Sequence, residues 1–83
     1  MMKTVQAWGA LWRSENKLSG RTRYLICDVL PVLFQTRREA RAWIDGHYGY
    51  IRKRRDLRRE PYGWRMPLAV RVEVRYRLAS EKP

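Results

Sequence analysis

The clearest pattern of hydrophobic and polar positions lies near the end of the chain, where the two kinds of residue alternate one by one. The apolar members are Val70, Val72, Val74 and Tyr76, and the charged members between them are Arg71, Glu73, Arg75 and Arg77. A period of two places successive side chains on opposite faces of a strand. We therefore predict a strand with its apolar face toward the core and its arginines toward solvent.

A β-hairpin is predicted at the beginning of the chain. The residues from Thr4 to Arg13 are rich in valine and tryptophan, and the polar stretch from Ser14 to Gly20 has the composition of a turn. A second arm runs from Arg21 to about Leu30, with apolar residues on both parities, which indicates that both of its faces are covered. This arm should end at Pro31, because proline lacks the amide hydrogen that a sheet ladder needs.

A helix is predicted to begin at the capping box Thr36-Arg37-Arg38-Glu39, in which the threonine hydroxyl accepts a hydrogen bond from the amide of Glu39. Its apolar face consists of Ala40, Trp43, Ile44, His47, Tyr48 and Ile51. Two glycines leave the end of the helix open: it stops near Gly49, or it continues through Arg59 as a basic helix. Pro61 limits any continuation, because the residue before a proline disfavours helical geometry.

These elements predict an α+β fold in a single domain over residues 1–83. We expect a three-stranded, mainly antiparallel sheet with the last strand beside the first and one helix packed on it, in the order ββαβ. The connection from Arg52 to Pro67 is long for so small a domain. Its length marks it as functional or as a short second helix.

The net charge of the chain indicates which class of partner it binds. The 83-residue chain carries a net charge of +11, and fifteen of its nineteen cations are arginines. Guanidinium groups bind phosphate and carboxylate through two parallel hydrogen bonds. Hydrophobic residues make up 45% of the chain, too many for a disordered basic tail. The charge therefore belongs to a folded surface that we expect to bind an anionic partner.

The densest positive stretch is Arg52-Lys53-Arg54-Arg55-Asp56-Leu57-Arg58-Arg59, and two aromatic residues, Tyr62 and Trp64, follow it. Cations beside flat rings suit a phosphate backbone with unstacked bases, or the acidic surface of a protein. We predict a binding surface made of Arg52, Lys53, Arg54, Arg55, Arg58, Arg59, Tyr62, Trp64, Arg65, Arg71, Arg75 and Arg77. The last three arginines would extend the positive charge across the outer face of the sheet.

The four tryptophans have different expected roles. Trp43 lies in the middle of the apolar helix face and should be core. Trp8 and Trp12 share one face of the first strand and are either core or an exposed stacking pair. Trp64 lies in the basic connection beside Tyr62, where it is either core or an exposed anchor that stacks on a base or fills a pocket on a protein.

The residues that could support catalysis are few. His47 falls on the apolar helix face and is interpreted as a partly buried core histidine, and Cys27 falls inside a strand as a small buried hydrophobe. We find no spacing that would ligate a metal and no glycine-rich phosphate loop, so we expect a non-enzyme without metal or cofactor. The single cysteine indicates a reducing compartment, and no run of 18 apolar residues is present. The expected location is the cytoplasm, with no membrane partner.

The ten residues Phe34-Gln35-Thr36-Arg37-Arg38-Glu39-Ala40-Arg41-Ala42-Trp43 resemble the helix entry of the arm-type DNA-binding domains at the N-termini of phage integrases. That resemblance implies a small sheet that docks on DNA. The element order of the whole chain is similar to that of small phage- and prophage-encoded accessory proteins of ββαβ type, among them host-takeover factors and anti-CRISPR proteins. This second resemblance implies a protein that binds and blocks a host nucleoprotein machine in the bacterial cytoplasm.

Two hypotheses about function follow. In the favoured one, the chain is a non-catalytic nucleic-acid-binding protein, for DNA or RNA, that contacts the phosphate backbone with weak sequence specificity. The alternative is a phage-encoded inhibitor or adaptor of anti-CRISPR or host-takeover type that docks on an acidic surface of a host protein or nucleoprotein complex. The open edges of a three-stranded sheet also allow a homodimer.

Overall fold

The structure, a computed structural model, describes residues 2–79 as one sheet with helices on one side. In chain order the elements are β1 (Lys3–Asn16), β2 (Gly20–Leu25), β3 (Leu33–Phe34), α1 (Arg37–Tyr48), α2 (Tyr50–Lys53), α3 (Arg55–Arg58) and β4 (Trp64–Tyr76). The predicted α+β class is confirmed.

β1 is the central strand of the sheet. On one edge, β4 pairs with it in antiparallel fashion along nearly its whole length, from Lys3 opposite Tyr76 to Ser14 opposite Trp64. On the other edge, β3 pairs at Trp8 and Gly9, and β2 pairs from Leu11 onward. The prediction that the last strand lies beside the first is therefore confirmed, and the sheet has a fourth, two-residue strand that the prediction lacked.

The hairpin is real, but its second arm is shorter than predicted. β2 ends at Leu25, and the following residues fold back in a tight loop in which the Asp28 amide donates to the Leu30 carbonyl and Cys27 bridges Pro31. Val29 and Leu30 are 92% and 73% exposed, so the prediction of a strand covered on both faces as far as Leu30 is wrong. The chain turns before Pro31, which cannot donate to the ladder.

The capping box begins the helix as predicted. The Glu39 amide donates to Thr36 Oγ1 over 3.1 Å, and the Thr36 hydroxyl donates to the Glu39 carboxylate over 3.0 Å. α1 ends at Tyr48, and the chain does not continue as one basic helix through Arg59. It forms α2 and α3 instead, because Arg54 between them is extended, with φ −106° and ψ 97°. The connection thus contains two short helices.

The core lies between α1 and the face of the sheet that carries Ala10 and its cross-strand partner Ala69. Ala10, Ile26 and Ile44 form the buried cluster, against which half-buried Trp12, Trp43, Tyr48 and Met66 pack. Directly opposed residues of paired strands share a face. Since Ala69 faces α1, the alternating stripe of Val70, Val72 and Val74 faces away from it. The prediction that the valines line the core is wrong; small alanines occupy those positions and let the helix approach closely.

Candidate nucleic-acid interface

The basic segment, residues 52–59, is held on the body of the protein by two apolar side chains. Ile51, just before it, is fully buried, and Leu57 within it is 7% exposed. These two contacts fix the orientation of α2 and α3, so that all six cations of the segment face solvent. The six cations therefore form a positive ridge along α2 and α3.

Carboxylates neutralise only part of this ridge. Arg52 forms an ion pair with Asp45 of α1 over 2.8 Å, and Arg54 forms one with Asp56 over 2.6 Å. The hydrogen bond from Arg54 holds the pKa of Asp56 below its ordinary value, and the same bond raises the pKa of Arg54. Glu60 is directed elsewhere, because its carboxylate accepts from the Lys17 amide in the hairpin turn.

Four cations of the segment have no carboxylate within 4.0 Å among residues 2–79. They are Lys53, Arg55, Arg58 and Arg59. Their charge is available to an external anion.

The aromatic pair after the segment splits between core and surface. The Trp64 ring is half-buried and packs edge-on against Trp12 at a centroid distance of 5.3 Å. Tyr62 packs against Trp64 at 5.7 Å and stays 47% exposed. Trp64 therefore belongs to the border of the core, and Tyr62 is the ring that a partner can reach.

Trp12 connects this pair to the centre of the domain. Its ring lies 5.9 Å from that of Tyr48, which in turn lies 5.8 Å from Trp43. Burial raises the pKa of Tyr48, and the neighbouring hydroxyls of Tyr50 and Tyr24 raise it further. Trp12 and Trp43 are thus structural, which confirms the core role predicted for Trp43.

The arginines of β4 do not form the single surface that was predicted. Arg71 and Arg75 share the face of the sheet on which α1 lies, since they alternate with the valines. Arg75 binds Glu73 over 2.9 Å, and Arg77 is exposed just beyond the end of β4. Arg65 pairs with Arg13 instead, beside Arg23. The prediction that Arg71 and Arg75 lie on the outer face is wrong, because the register of β4 places them on the α1 side of the sheet and the valines on the other side.

The Arg65 cluster is a second patch of positive charge at the hairpin end of the sheet, and its member Arg13 also lines the groove beside α1. Partial burial lowers the pKa of Arg13, and the nearby charges of Arg65 and Arg23 lower it further. The Arg13 guanidinium is held there by two hydrogen bonds to the Met66 carbonyl, of 3.1 and 2.6 Å. The fold itself explains the position of Arg13, because the Met66 carbonyl that holds it lies in the irregular stretch of β4 where the register with β1 shifts.

The structure places two arginines beside the ring of Trp8, a residue that the sequence left as either core or an exposed stacking residue. The half-buried Trp8 ring has the Arg71 guanidinium carbon 5.4 Å from its centroid and that of Arg37 6.0 Å away. Two cations near one indole ring are a favourable electrostatic arrangement, and a base can add to it by stacking. The sequence does not show this contact, because it depends on the register that places Trp8 of β1 directly opposite Arg71 of β4.

A groove joins Trp8 to the basic segment. It runs between α1 and the start of β4 with a volume of about 240 Å³, and Arg37, Arg41 and Arg52 line it together with Asp45. Arg37 reaches the Trp8 ring at one end, and Arg52 belongs to the basic segment at the other. We call the surface from Trp8 through this groove to Arg59 the basic strip.

The two residues considered for catalysis lie on different elements, His47 in α1 and Cys27 in the loop after β2. His47 is exposed rather than partly buried: it stacks on Trp43 at 4.4 Å, with Nδ1 3.0 Å from the Trp43 carbonyl. Cys27 is an exposed free thiol outside β2, which corrects its interpretation as a buried strand residue. The misplacement of Cys27 follows from the end of β2, which periodicity cannot locate, whereas His47 lies inside α1 as predicted but on its exposed side. Within residues 2–79 no group of three or more His, Cys, Asp or Glu side chains could hold a metal ion.

The helices between residues 2 and 79 include none that is long and apolar enough to cross a membrane. Comparison of the chain with family models, with curated proteins and with solved structures finds no match.

Proposed function

We propose that the protein is a non-catalytic nucleic-acid-binding protein whose basic strip contacts the phosphate backbone and whose Trp8 stacks on an unpaired base. The observation that carries the proposal is the half-buried Trp8 ring with the guanidinium groups of Arg37 and Arg71 close to it, since Arg37 also lines the arginine-rich groove. Phosphates and stacked bases recur together along single-stranded nucleic acid, and the strip offers a match for both.

The strip has little that reads sequence. Its cations are exposed and on flexible side chains, and four of them are free of carboxylate partners within the described part of the chain. Such contacts position a protein on the backbone but do not distinguish bases. Binding should therefore be steeply salt-dependent and weakly dependent on sequence.

The test is fluorescence anisotropy with labelled single-stranded DNA, duplex DNA and single-stranded RNA between about 50 and 300 mM salt. The variant Arg55→Glu/Arg58→Glu reverses two cations that have no carboxylate partner among residues 2–79. It should weaken binding to every nucleic acid and flatten the salt slope by about 1.8 for a duplex or about 1.4 for a single strand. The matched control, Arg23→Glu/Arg65→Glu, makes the same change in net charge on the opposite side of the sheet and should change the slope less.

Trp8→Leu tests the stacking step separately. Removing the ring should weaken binding to single strands about tenfold, because base stacking contributes roughly 1–3 kcal/mol per base. Duplex affinity should change little, since paired bases are not available to the ring. Equal losses for both substrates would remove stacking from the proposal.

Wild-type protein that binds none of the three nucleic acids at 50 mM salt would overturn the proposal altogether. The basic strip would then fit an acidic protein surface, as in the inhibitor or adaptor hypothesis. Equal losses in the two double variants would also count against the strip, because net charge rather than position would then determine affinity.

A further inference from the structure

One face of the sheet carries no other element of the fold in the described part of the chain. We call it the open face; its central members pair across β1 and β4 as Val5 with Val74, Ala7 with Val72 and Gly9 with Val70. α1 lies on the opposite face, against Ala10 and Ala69. The open face is thus a layer of apolar side chains in contact with solvent.

The apolar surface is continuous across three strands. A Cβ atom built on Gly9 would lie 2.7 Å from Leu25 Cδ1 of β2 and 3.5 Å from a Val72 methyl group of β4. Leu25 and Val72 therefore close over the glycine and meet above β1. Leu11 continues the same surface, since it pairs with Leu25 on one side and Leu68 on the other.

The open face carries eight apolar side chains that no other element of the described chain covers: Val5, Ala7, Leu11, Leu25, Leu68, Val70, Val72 and Val74. Six hydrophobic residues are buried in the described chain, and two of them are alanines. Val5 and Leu68 on the open face are 45% and 42% exposed. In most domains each apolar face of a sheet is covered by a second layer of structure. A chain of this size buries little other surface that could stabilise its fold. The fold is incomplete on this side.

Charge limits what can cover this face. Its centre has no cation to meet a phosphate, so nucleic acid is not its occupant. Its cations lie at its two ends: Arg13, Arg21, Arg23 and Arg65 at the hairpin end, and Lys3, opposite Tyr76, at the other end. A second copy packed with its strands antiparallel keeps the two hairpin-end clusters roughly 30 Å apart, the length of about nine strand residues. That separation exceeds the Debye length of about 8 Å at physiological salt, so their repulsion is screened.

The dimensions also fit a second copy. The apolar part of the face spans about seven residues of β1 and of β4, widened by Leu33 of β3 and Leu25 of β2 on the third row, or roughly 300 Å². The molecule extends over 52 × 28 Å in its two longest directions, which leaves room for a rim around that centre. A stable interface needs about 800 Å² from each partner, with an apolar centre and a polar rim.

We propose that two copies of the chain pack through their open faces, related by a two-fold axis, to form a β-sandwich with helices on both outer sides. Two sheets of the same twist stack with their strands nearly aligned. The two basic strips then lie on opposite surfaces of the dimer, so that each remains free to bind. The proposal does not depend on the nucleic-acid function, because it uses the other face of the sheet.

Sedimentation equilibrium at about 5 to 200 µM protein tests this arrangement. We expect a mass near twice the 10.1 kDa of the chain at the upper concentrations. Raising the salt from about 0.1 to 0.5 M should leave the dimer as tight or tighten it, because association is apolar and the like charges become better screened. Nucleic-acid binding should respond to salt in the opposite direction.

A pair of neighbouring substitutions locates the interface. Val5→Glu places a carboxylate on the open face, and Thr4→Glu places the same group one residue away on the other face, opposite Arg75. Both side chains are exposed in the monomer, so both variants should fold, which circular dichroism checks. Val5→Glu should weaken the dimer at least tenfold, and Thr4→Glu should leave it unchanged.

Wild-type protein that stays monomeric at 200 µM in both salts would overturn the proposal. So would a dimer that both variants leave intact, because the interface would then lie elsewhere. If the monomer binds vesicles of phosphatidylglycerol through a Val5-dependent contact, the open face belongs to a membrane surface and not to a second copy.

Discussion

The covered face of the sheet, on which α1 lies, and the open face use the same strands for different purposes. The covered face carries Ala10 and Ala69 under the helix, and then Trp8 with Arg71 beyond it. The open face carries the valines of β4 and the leucines beside them, and its cations lie at its two ends, away from this apolar centre. Core residues and charged residues thus lie next to each other on the covered face, whereas on the open face the charged residues are separate from the apolar ones. Regular hydrophobic alternation here marks a surface for association, whereas the less regular side holds the core.

The largest expected effect comes from Gly63, where the chain enters β4 against the end of β1. This residue has φ 64°, and a Cβ built on it would lie 1.8 Å from the Glu15 carbonyl oxygen. Gly63→Ala should destabilise the protein by about 4 kcal/mol or more, since neither backbone can move without losing the hydrogen bond from the Glu15 amide to the Gly63 carbonyl. Urea unfolding followed by tryptophan fluorescence measures this change.

Gly46→Ala is the matched control for that substitution. Gly46 lies inside α1, and a Cβ built there meets nothing within 4 Å. Alanine should stabilise the helix by roughly 0.5–1 kcal/mol. Equal destabilisation by the two variants would contradict the close contact at Gly63.

A pair of core and face truncations sharpens the comparison at intermediate size. Ile44 is 3% exposed against the covered face, so Ile44→Ala should cost about 3 kcal/mol in the free energy of unfolding. Val72→Ala on the open face should cost less than about 1 kcal/mol at low micromolar concentration, because solvent already reaches it. Its cost should grow with protein concentration if the dimer forms. Equal costs at low concentration would mean that the open face is covered within one chain.

The smallest expected effect concerns the ion pair between Arg54 and Asp56, at the outer edge of the covered side. The pair holds the pKa of Asp56 below its ordinary value, so its small contribution to stability is present above the unfolded pKa and is lost as the pH falls through the folded pKa. Carboxyl NMR titration should show the Asp56 pKa rising in Arg54→Gln.

Local rules predicted the parts of the fold that depend on few residues. The capping box needs only Thr36 and Glu39, and α1 begins there. The alternation over Val70 to Val74 fixes a strand, and β4 is that strand. The basic segment was recognised as a candidate surface because charge density is a property of composition.

The rest depends on pairing between distant residues. Alternation says that Val72 and Arg71 face opposite ways, but which of them faces the helix depends on the register of β4 against Ala10. The same register brings Trp8 beside Arg71, a contact that no local pattern contains. The exposure of Cys27 depends on where β2 ends, which Pro31 influences from four residues away.

The contact at Gly63 has a further consequence for the basic segment. The segment is attached at both ends: Arg52 to Asp45 of α1, and Tyr62 and Gly63 to the hairpin through bonds from Asn16 Nδ2 and the Glu15 amide. Its backbone therefore has few conformations left to lose when an anion binds. Preorganisation of this kind lowers the entropic cost of association, so an eight-residue run of charge can act as a rigid template rather than as a flexible tail.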